Sequence, residues 1–449
     1  MIIIAGKKDS IFERTLGTQA PGEQPMRWSR FVLFEEVEGG TLLYNALTRV
    51  LAFSEYSRTQ LEDAASLSDA QAWYDCWFLV PQDCDEMKLA DQLNRILAIM
   101  NPGEKKSAVA FEIYTTTACN ARCPYCFQKD YQTVTMSEET ARRVAKYIAG
   151  QAGGETVRLG WFGGEPLVNH AAMDWICGSL ADSGVDYRST ITTNGFLWTP
   201  ELIEKAVKSW KLQRAQVTLD GTEEVYNACK NYVGATGSPY RRVLDNIGAL
   251  LEAGIAVSVR LNLTLENADN LLTLVDEVSA RFAKDKHFSI YSHELFEYDS
   301  LSTGDSWPGE GQLLDAYRKL IAHLDDHGYH KSLRRYEKWA NHCMADSERC
   351  FVVSPVGALT KCKHYFDQEI VGNVDEGVTN PALVRAWKER PPKSPLCDAC
   401  PLYPACIRLT KCPDVPAECS RMLREIRQID CRFGMISAWQ KWKEQKKDV

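Results

Sequence analysis

The sequence lacks the patterns that mark several large classes of protein. It contains no Walker A phosphate loop, no Gly-x-Gly-x-x-Gly dinucleotide turn, no His-Glu-x-x-His zinc motif and no Gly-x-Ser-x-Gly nucleophile turn. No apolar stretch approaches the roughly 20 residues needed to span a bilayer. The apolar run at residues 2–5 is too short for the hydrophobic region of a signal peptide. We therefore expect a cytoplasmic protein with no membrane partner.

Positively charged residues are also outnumbered by negatively charged ones. Lysine and arginine number 52 against 60 aspartate and glutamate residues, so the formal net charge is −8. Such a surface does not neutralise phosphates, and we exclude nucleic acid as the main partner. The 449 residues, 45% of them hydrophobic, are enough for about three ordinary soluble domains.

Cysteine, in contrast, is abundant, with sixteen residues. Disulfides are rare in reducing compartments, where clustered cysteines more often bind metal or take part in chemistry. The alternative is a secreted disulfide protein, which the N-terminus and the chain length disfavour.

Residues 1–105 predict a small α+β domain. Two strands, Arg30–Val37 and Thr41–Tyr44, flank Gly39-Gly40 in a hairpin pattern, and Arg49–Phe53 is a candidate third strand. Apolar residues recur at helical spacing from Asp85 to Met100. The break at residues 101–106 indicates a domain boundary.

Strand and helix patterns alternate through residues 106–300. Six βα units predict a parallel sheet with helices outside, and six rather than eight favour an open, partial (β/α)6 barrel of the TIM type. A capping-box pattern, Thr135-x-x-Glu138, precedes the first helix. The predicted strands are Ala108–Thr115, Thr156–Trp161, Arg188–Thr193, Ala215–Leu219, Ala256–Leu263 and Phe288–His293. Two predicted helices start near Ser137 and Thr199. The other three are Ala171–Ala181, Tyr240–Ala253 and Leu271–Ala283.

The last third of the chain differs in composition. Residues 301–340 predict a helical bridge. Residues 341–449 contain nine cysteines, many prolines and few periodic segments, so we expect bound metal to stabilise the fold of this domain. The basic tail, Trp439–Lys447, predicts a solvated surface helix.

The segment Cys119-Asn-Ala-Arg-Cys123-Pro-Tyr-Cys126 follows the first predicted strand of the barrel. Active sites of βα proteins form at that end of the strands. Three thiolates on one loop ligate three irons of a cubane cluster and leave the fourth iron open for a substrate. The alternative is a zinc or [2Fe–2S] site with a remote fourth ligand.

The Cys-x3-Cys-x2-Cys spacing, with Tyr125 before the third cysteine, resembles the signature of the radical S-adenosylmethionine superfamily. The resemblance implies a [4Fe–4S] cluster on Cys119, Cys123 and Cys126. It also implies that the open iron chelates S-adenosylmethionine, whose cleavage gives a 5′-deoxyadenosyl radical that abstracts hydrogen from a substrate.

Further segments at predicted strand ends resemble cofactor contacts of the same superfamily. Glu165 suits an ammonium group, and an arginine suits a carboxylate because its geometry is bidentate. Taken singly, these segments are equally compatible with ordinary turns, and Arg260 with a surface ion pair. The candidate cofactor-binding residues are Tyr125, Gly163, Gly164, Glu165, Asn194, Thr218 and Arg260.

The C-terminal cysteines resemble the SPASM domain of this superfamily, which binds two auxiliary [4Fe–4S] clusters and brings the expected total to three. By position the resemblance assigns the first auxiliary cluster to Cys343, Cys350, Cys362 and Cys412. It assigns the second to Cys397, Cys400, Cys406 and Cys431. The spacing before Cys412 is longer than in the family, so Cys419 is an alternative ligand. A pair of four-cysteine zinc sites is the structural alternative.

The remaining cysteines are expected to be buried apolar residues: Cys76, Cys84, Cys177, Cys229 and Cys419. His293 and Glu294, at the last predicted strand end, are candidates for proton transfer. No catalytic acid or base follows from the sequence.

SPASM enzymes mostly modify peptides or proteins. The resemblance therefore implies a maturase that forms a thioether, a carbon–carbon crosslink or a related modification in a ribosomally made peptide, with a flavodoxin or ferredoxin as reductant. Residues 1–105 would bind a leader peptide at a sheet edge, or would merely pack on the barrel. The alternatives are a maturase of the anaerobic sulfatase type and a non-catalytic iron–sulfur electron carrier.

Overall fold

The computed structural model describes residues 1–6, 25–62, 70–92, 109–295, 310–331, 333, 343–389, 395–403, 411 and 421–447. The predicted boundary at residues 101–106 lies outside these ranges. So does part of the predicted helix before it, of which residues 86–92 are helical.

Six parallel strands form the centre of the molecule. All six predicted barrel strands are present, with ends shifted by three residues or fewer. Val157–Gly163 and Ala256–Leu263 are buried along most of their length, as expected for parallel strands that helices cover. The strands are β7 (Ala110–Thr116), β8 (Val157–Gly163), β9 (Tyr187–Thr193), β10 (Leu212–Leu219), β11 (Ala256–Leu263) and β12 (Phe288–Glu294).

Helices connect these strands and cover the sheet. Ser137 and Thr199 cap two of them by accepting a backbone N–H with their hydroxyl oxygens. The predicted capping box at Thr135 is wrong, because the Thr135 hydroxyl instead lies 2.9 Å from that of Thr116. The helices are α2 (Glu138–Ala152), α3 (His170–Asp182), α4 (Pro200–Lys208), α5 (Glu223–Lys230), α6 (Pro239–Glu252) and α7 (Ala268–Phe282).

The barrel stays open because a C-terminal strand takes the free edge of β7. In the ten-stranded sheet the order is β12-β11-β10-β9-β8-β7-β13-β14-β15-β16. Strand β13 runs parallel to β7 and pairs Cys350 with Ala110. The added strands are β13 (Cys350–Val353), β14 (Ala358–Thr360), β15 (Gly372–Asn373) and β16 (Gly377–Val378).

The N-terminal residues form a second sheet, in the order β1-β5-β4-β3, which confirms the predicted hairpin and third strand. One face packs on Trp73 and Phe78, and the other on Met435 and Trp439. The elements are β1 (Ile2–Ala5), β2 (Met26–Trp28), β3 (Val32–Val37), β4 (Gly40–Asn45), β5 (Val50–Ser54), α1 (Ala70–Asp75) and β6 (Leu79–Pro81).

A long C-terminal helix joins the two ends of the chain. The remaining helices are α8 (Glu310–Asp326), α9 (Pro381–Ala386) and α10 (Arg421–Lys447). Helix α8 lies within the predicted bridge. The tail is helical as predicted, and most of it lies at the surface, but the predicted solvated helix is buried at its first residue. Trp439 is 8% exposed and stacks on Phe53, 5.7 Å between ring centroids.

Within the described ranges, the helices are all too short or too polar to cross a membrane.

Candidate active site

The cysteine loop follows β7 at its carboxyl end, where the sequence predicts it. Cys119, Cys123 and Cys126 are half-buried thiols outside any disulfide. A tight turn, in which Cys126 N–H donates to Cys123 O at 3.2 Å, brings the second and third cysteines together. The three thiols thus share one short loop, whose donor set suits three irons of a cluster.

The loop is poorly suited to hold bare thiolates. Burial raises the pKa of Cys119 to about 11 and raises the pKa of Cys123, where the nearby Lys230 partly opposes the shift. These two thiols therefore favour the protonated form until a cation compensates the charge of the thiolate. Binding of a metal cluster at this loop would therefore release protons from these thiols.

The glycine pair at the end of β8 fits against the segment that leads into this loop. A Cβ atom on Gly163 would lie 2.1 Å from Thr116 O, and one on Gly164 would lie 2.3 Å from Ala118 O. Gly163 also has a φ of 137°. These residues therefore allow β8 to approach the loop closely.

Glu165 follows the glycine pair and is completely buried. Its carboxylate accepts hydrogen bonds from Leu167 N–H at 3.2 Å, Thr193 Oγ1 at 2.8 Å and Asn194 N–H at 2.7 Å. Burial raises its pKa to about 7, against the opposing effect of these hydrogen bonds. Glu165 thus ties the ends of β8 and β9 together, and a direct contact with the cofactor's ammonium group stays a prediction.

Asn194 extends that connection to the cysteine loop. Its side-chain amide donates to Asn120 Oδ1 at 2.7 Å and lies 4.0 Å from Cys119 Sγ. Its backbone carbonyl accepts from the hydroxyls of Tyr226 and Tyr232. The structure therefore brings Cys119 and Asn194 together, as expected of residues that follow parallel strands at the same edge of the sheet.

Tyr125, inside the loop, enters a buried polar network at the end of β10. Its hydroxyl donates to Asp220 Oδ1 at 2.7 Å and accepts from Lys230 Nζ and Asn262 Nδ2, both at 3.0 Å. Lys230 Nζ also pairs with Asp220 Oδ2 at 2.8 Å. The loop backbone joins the same network, since Arg122 N–H donates to Lys230 O at 2.8 Å.

Arg260 and Thr218 lie side by side in the register of β10 and β11. The Arg260 guanidinium donates to Asn262 Oδ1 at 3.0 Å and so reaches the network around Tyr125. The alternative of a surface ion pair does not describe Arg260, which is half-buried and bonded to an amide.

Sequence reasoning missed Lys230 and the helix that holds it. Helix α5 is only eight residues long and gives a weak periodic signal. A lysine at the end of such a helix normally faces solvent, yet Lys230 is 3% exposed. The one available signal was Asp220, in the Thr-Leu-Asp-Gly segment, because a buried carboxylate requires a partner.

A second group of ionisable side chains surrounds the end of β12. Lys331 Nζ lies 2.8 Å from Asp430 Oδ1 and 2.9 Å from the Tyr317 hydroxyl, which itself donates to Asp430. Burial raises the pKa of Glu294 to about 7, and Lys331 opposes the shift. Glu294 therefore lies in a network that connects the barrel to α8 and α10.

Four of the six described C-terminal cysteines lie in two separate hydrophobic clusters. Cys343 and Cys362 pack with Ala345 and Trp387, while Cys400 and Cys431 pack with Met435. Cys343 and Cys362 belong to the first predicted ligand set and Cys400 and Cys431 to the second, and the ligand sets themselves stay a prediction. Cys406, Cys412 and Cys419 lie outside the described residues.

The remaining described cysteines are buried or half-buried, as expected for small apolar residues. Burial raises the pKa of both Cys177 and Cys229 to about 12. Both are therefore neutral thiols rather than reactive thiolates.

Comparison with known proteins identifies the family that the barrel residues match. Residues 113–278 match the family model of the radical SAM superfamily. An AdoMet-dependent heme synthase of Methanosarcina barkeri is 25% identical over 60% of this chain and 79% of that protein. A GTP 3′,8-cyclase of Chlorobaculum tepidum is 36% identical over 20% of this chain and 27% of that protein.

Solved structures share the fold. Native anSMEcpe with bound AdoMet superposes with a TM-score of 0.57 at 15% identity, covering 75% of this chain and 99% of that protein. The same protein with bound AdoMet and Kp18Cys peptide gives a TM-score of 0.55 at 14% identity, covering 76% of this chain and 99% of that chain. The partial barrel of this chain is therefore the radical SAM fold.

Proposed function

This chain is a radical SAM enzyme, and from that premise we propose that it modifies a side chain or backbone position of a ribosomally made peptide. The observation that carries the proposal is the three-cysteine loop at the mouth of an open barrel. The fold that anSMEcpe shares with this chain holds AdoMet and a peptide in that protein, which supports a peptide substrate here.

The residues present suit the cofactors of such an enzyme. Cys119, Cys123 and Cys126 would hold a [4Fe–4S] cluster, and its open iron would bind S-adenosylmethionine. When bound, the pair supplies an electron and a carbon radical that abstracts hydrogen from the substrate. Arg260 would bind the carboxylate of S-adenosylmethionine, and Asn194 would line the same end of the barrel.

The chain's own residues have defined tasks in this proposal. Tyr125, Asp220 and Lys230 fix the cysteine loop against the strand ends. Glu294 would accept or hold a proton at its carboxylate, because burial places its pKa at about 7 and the group changes charge near neutral pH.

The C-terminal domain would hold two auxiliary [4Fe–4S] clusters and pass electrons between the substrate and an external flavodoxin or ferredoxin. The two separate cysteine groups support this division. We propose that the enzyme is located in the cytoplasm.

Residues 1–105 would bind the leader part of the peptide by strand addition. Both faces of the N-terminal sheet are covered, so we expect a peptide to pair with one of the edge strands of the sheet. At the β3 edge, Arg432 already donates to Phe34 O at 2.8 Å. At the β1 edge, Ile2 and Ile3 are 42% and 47% exposed. We therefore assign the leader to β1.

The experiment pairs the enzyme with short peptides encoded beside its gene. Reduced, reconstituted enzyme with S-adenosylmethionine should change the mass of one such peptide, and fragmentation should locate the changed residue. A change in a sulfatase-type protein side chain instead would favour the second candidate, a protein maturase whose fold is shared with anSMEcpe.

The leader assignment has its own test with a matched control. Ile3→Lys adds charge to the proposed edge and should weaken peptide binding, whereas Ile370→Lys alters an isoleucine that is 49% exposed, close to the 47% of Ile3. Equal peptide dissociation constants for the two variants would contradict leader binding at β1.

A further inference from the structure

Two histidines one helical turn apart face a single carboxylate on the neighbouring helix. His323 Nε2 lies 2.7 Å from Asp276 Oδ1, and His327 Nε2 lies 3.2 Å from the same oxygen. Asp276 belongs to α7, whereas His323 lies in the last turn of α8. The three ligand atoms all fall within 4.8 Å of one another.

The hydrogen bonding of His327 determines which of its nitrogens is available. His327 Nδ1 lies 2.9 Å from the carbonyl oxygen of His323. A carbonyl only accepts hydrogen bonds, so Nδ1 must carry a proton. With Nδ1 protonated, the Nε2 of His327 faces the Asp276 carboxylate at 3.2 Å, an arrangement that needs either a proton on Nε2 or a metal cation held by both groups.

A carbonyl that fixes the tautomer in this way is a common feature of metal-bound histidine. We propose that His323, His327 and Asp276 bind a divalent zinc ion. Two imidazole nitrogens and one carboxylate oxygen form an ordinary zinc donor set, with bonds of roughly 2.0–2.2 Å, and histidines four apart on a helix present both rings to one ion. A tetrahedron with such bonds has edges of roughly 3.3 Å, comparable with the 2.7 and 3.2 Å between the two histidine nitrogens and Asp276 Oδ1.

Exposure of the trio gives an ion access from solvent. The side chains of His323 and His327 are each 27% exposed, and that of Asp276 is 58% exposed. Three protein ligands leave a fourth position for water. The donor set contains no thiol, which separates this site from the cysteine groups that suit iron–sulfur clusters.

The site would fasten α8 to the outside of the barrel. The same pair of helices is joined further along by Lys319 Nζ and Asp269 Oδ1, 2.9 Å apart. That exposed ion pair contributes little. A metal ion held by both helices would fix the position of α8, which carries Tyr317 into the network around Glu294.

The test counts zinc on the intact, cluster-loaded enzyme. Wild type and variants are dialysed against the same micromolar zinc chloride, and bound zinc and iron are measured by mass spectrometry. His323→Ala and His327→Ala should each lose one zinc per chain, or bind it at least ~10-fold more weakly, with iron unchanged. His330→Ala is the matched control, because His330 bonds to Asp325 outside the trio.

A second measurement covers the case of a poorly folded alanine variant. Asp276→Asn keeps the shape of the side chain and removes its charge. Zinc should raise the unfolding temperature of wild type and His330→Ala, but not that of Asp276→Asn. Equal zinc content in wild type, His323→Ala and His327→Ala would overturn the proposal, and so would equal zinc stabilisation of Asp276→Asn. Neither readout depends on S-adenosylmethionine cleavage.

Discussion

Lys230 and Asp220 form an ion pair at 2.8 Å in which the two side chains are only 4% and 2% exposed. The pair contacts the cysteine loop directly, since Tyr125 bonds to both residues and Arg122 N–H donates to Lys230 O. Two desolvated charges of opposite sign stabilise each other only while both are present. The loop that would hold the reactive cluster thus depends on a lysine from a helix that the sequence did not indicate.

Removal of Lys230 should therefore destabilise the fold and the cluster together. We expect Lys230→Met to lower the free energy of unfolding by about 3–5 kcal/mol, because it leaves the Asp220 carboxylate buried without its partner. Denaturant unfolding checks the energy, and the iron count checks the cluster. Lys230→Arg, which keeps the charge, should lose less unfolding free energy and less iron than Lys230→Met.

Lys208→Met provides the control for that experiment. Lys208 and Glu204 are 71% and 61% exposed, and removal of such a surface pair should cost about 0–1 kcal/mol. A Lys230→Met protein as stable as Lys208→Met would show that the buried pair does not hold the loop.

Arg260→Ala should weaken S-adenosylmethionine binding without loss of iron. A hydrogen bond to a charged group contributes about 1.5–3 kcal/mol, which corresponds to a dissociation constant about 10- to 150-fold higher. Equilibrium binding under anaerobic conditions measures it. Arg188→Ala removes an exposed arginine of β9 and should bind S-adenosylmethionine with the dissociation constant of wild type. An unchanged constant for Arg260→Ala would exclude this residue from the cofactor site.

Glu165 should give the stability of the cofactor-free chain a pH dependence. Its folded pKa, about 7, is raised above the ordinary value of 4.5 because the carboxyl is buried. The folded state therefore binds the proton more tightly than the unfolded state does. This contribution to stability is fully present below about pH 4.5 and is lost as pH rises through about 7.

The comparison of Glu165→Gln with wild type isolates that effect. The variant keeps a neutral side chain at every pH, so its unfolding free energy should fall less than that of wild type between about pH 4.5 and 7. Parallel pH profiles would mean that Glu165 keeps its ordinary pKa in the folded chain.

Metal content tests the proposed three-cluster architecture. The eleven predicted ligands would hold about twelve irons and twelve sulfides per chain. Cys412→Ala should disturb one auxiliary cluster, whereas Cys419→Ala should change little. About eight irons in the wild type would mean that one auxiliary cluster is absent. Loss of iron from Cys419→Ala alone would identify Cys419 as the ligand.

The sequence predicts the barrel well because its signals are local. Strand Ala256–Leu263 was predicted with its observed bounds, and Thr199-Pro200 marks the start of α4 correctly. Cys119 and Asn194 are far apart in the chain but meet, since parallel strands end at one edge of the sheet.

The parts that sequence reasoning missed depend on contacts between distant segments. The addition of β13 to the edge of β7 depends on pairing across more than 200 residues, which periodicity does not encode. Burial of Lys230 and the packing of Trp439 on Phe53 likewise result from tertiary structure. The Asp276, His323 and His327 trio has no contiguous motif because α7 and α8 contribute separately.

The most direct test of the central claim is the production of 5′-deoxyadenosine. Anaerobically reconstituted enzyme, reduced in the presence of S-adenosylmethionine, should release it, and liquid chromatography with mass spectrometry quantifies it. A variant with Cys119→Ala, Cys123→Ala and Cys126→Ala should release none while it keeps most of its C-terminal iron. If that triple variant formed 5′-deoxyadenosine at the wild-type rate, the cysteine loop would not be the active site.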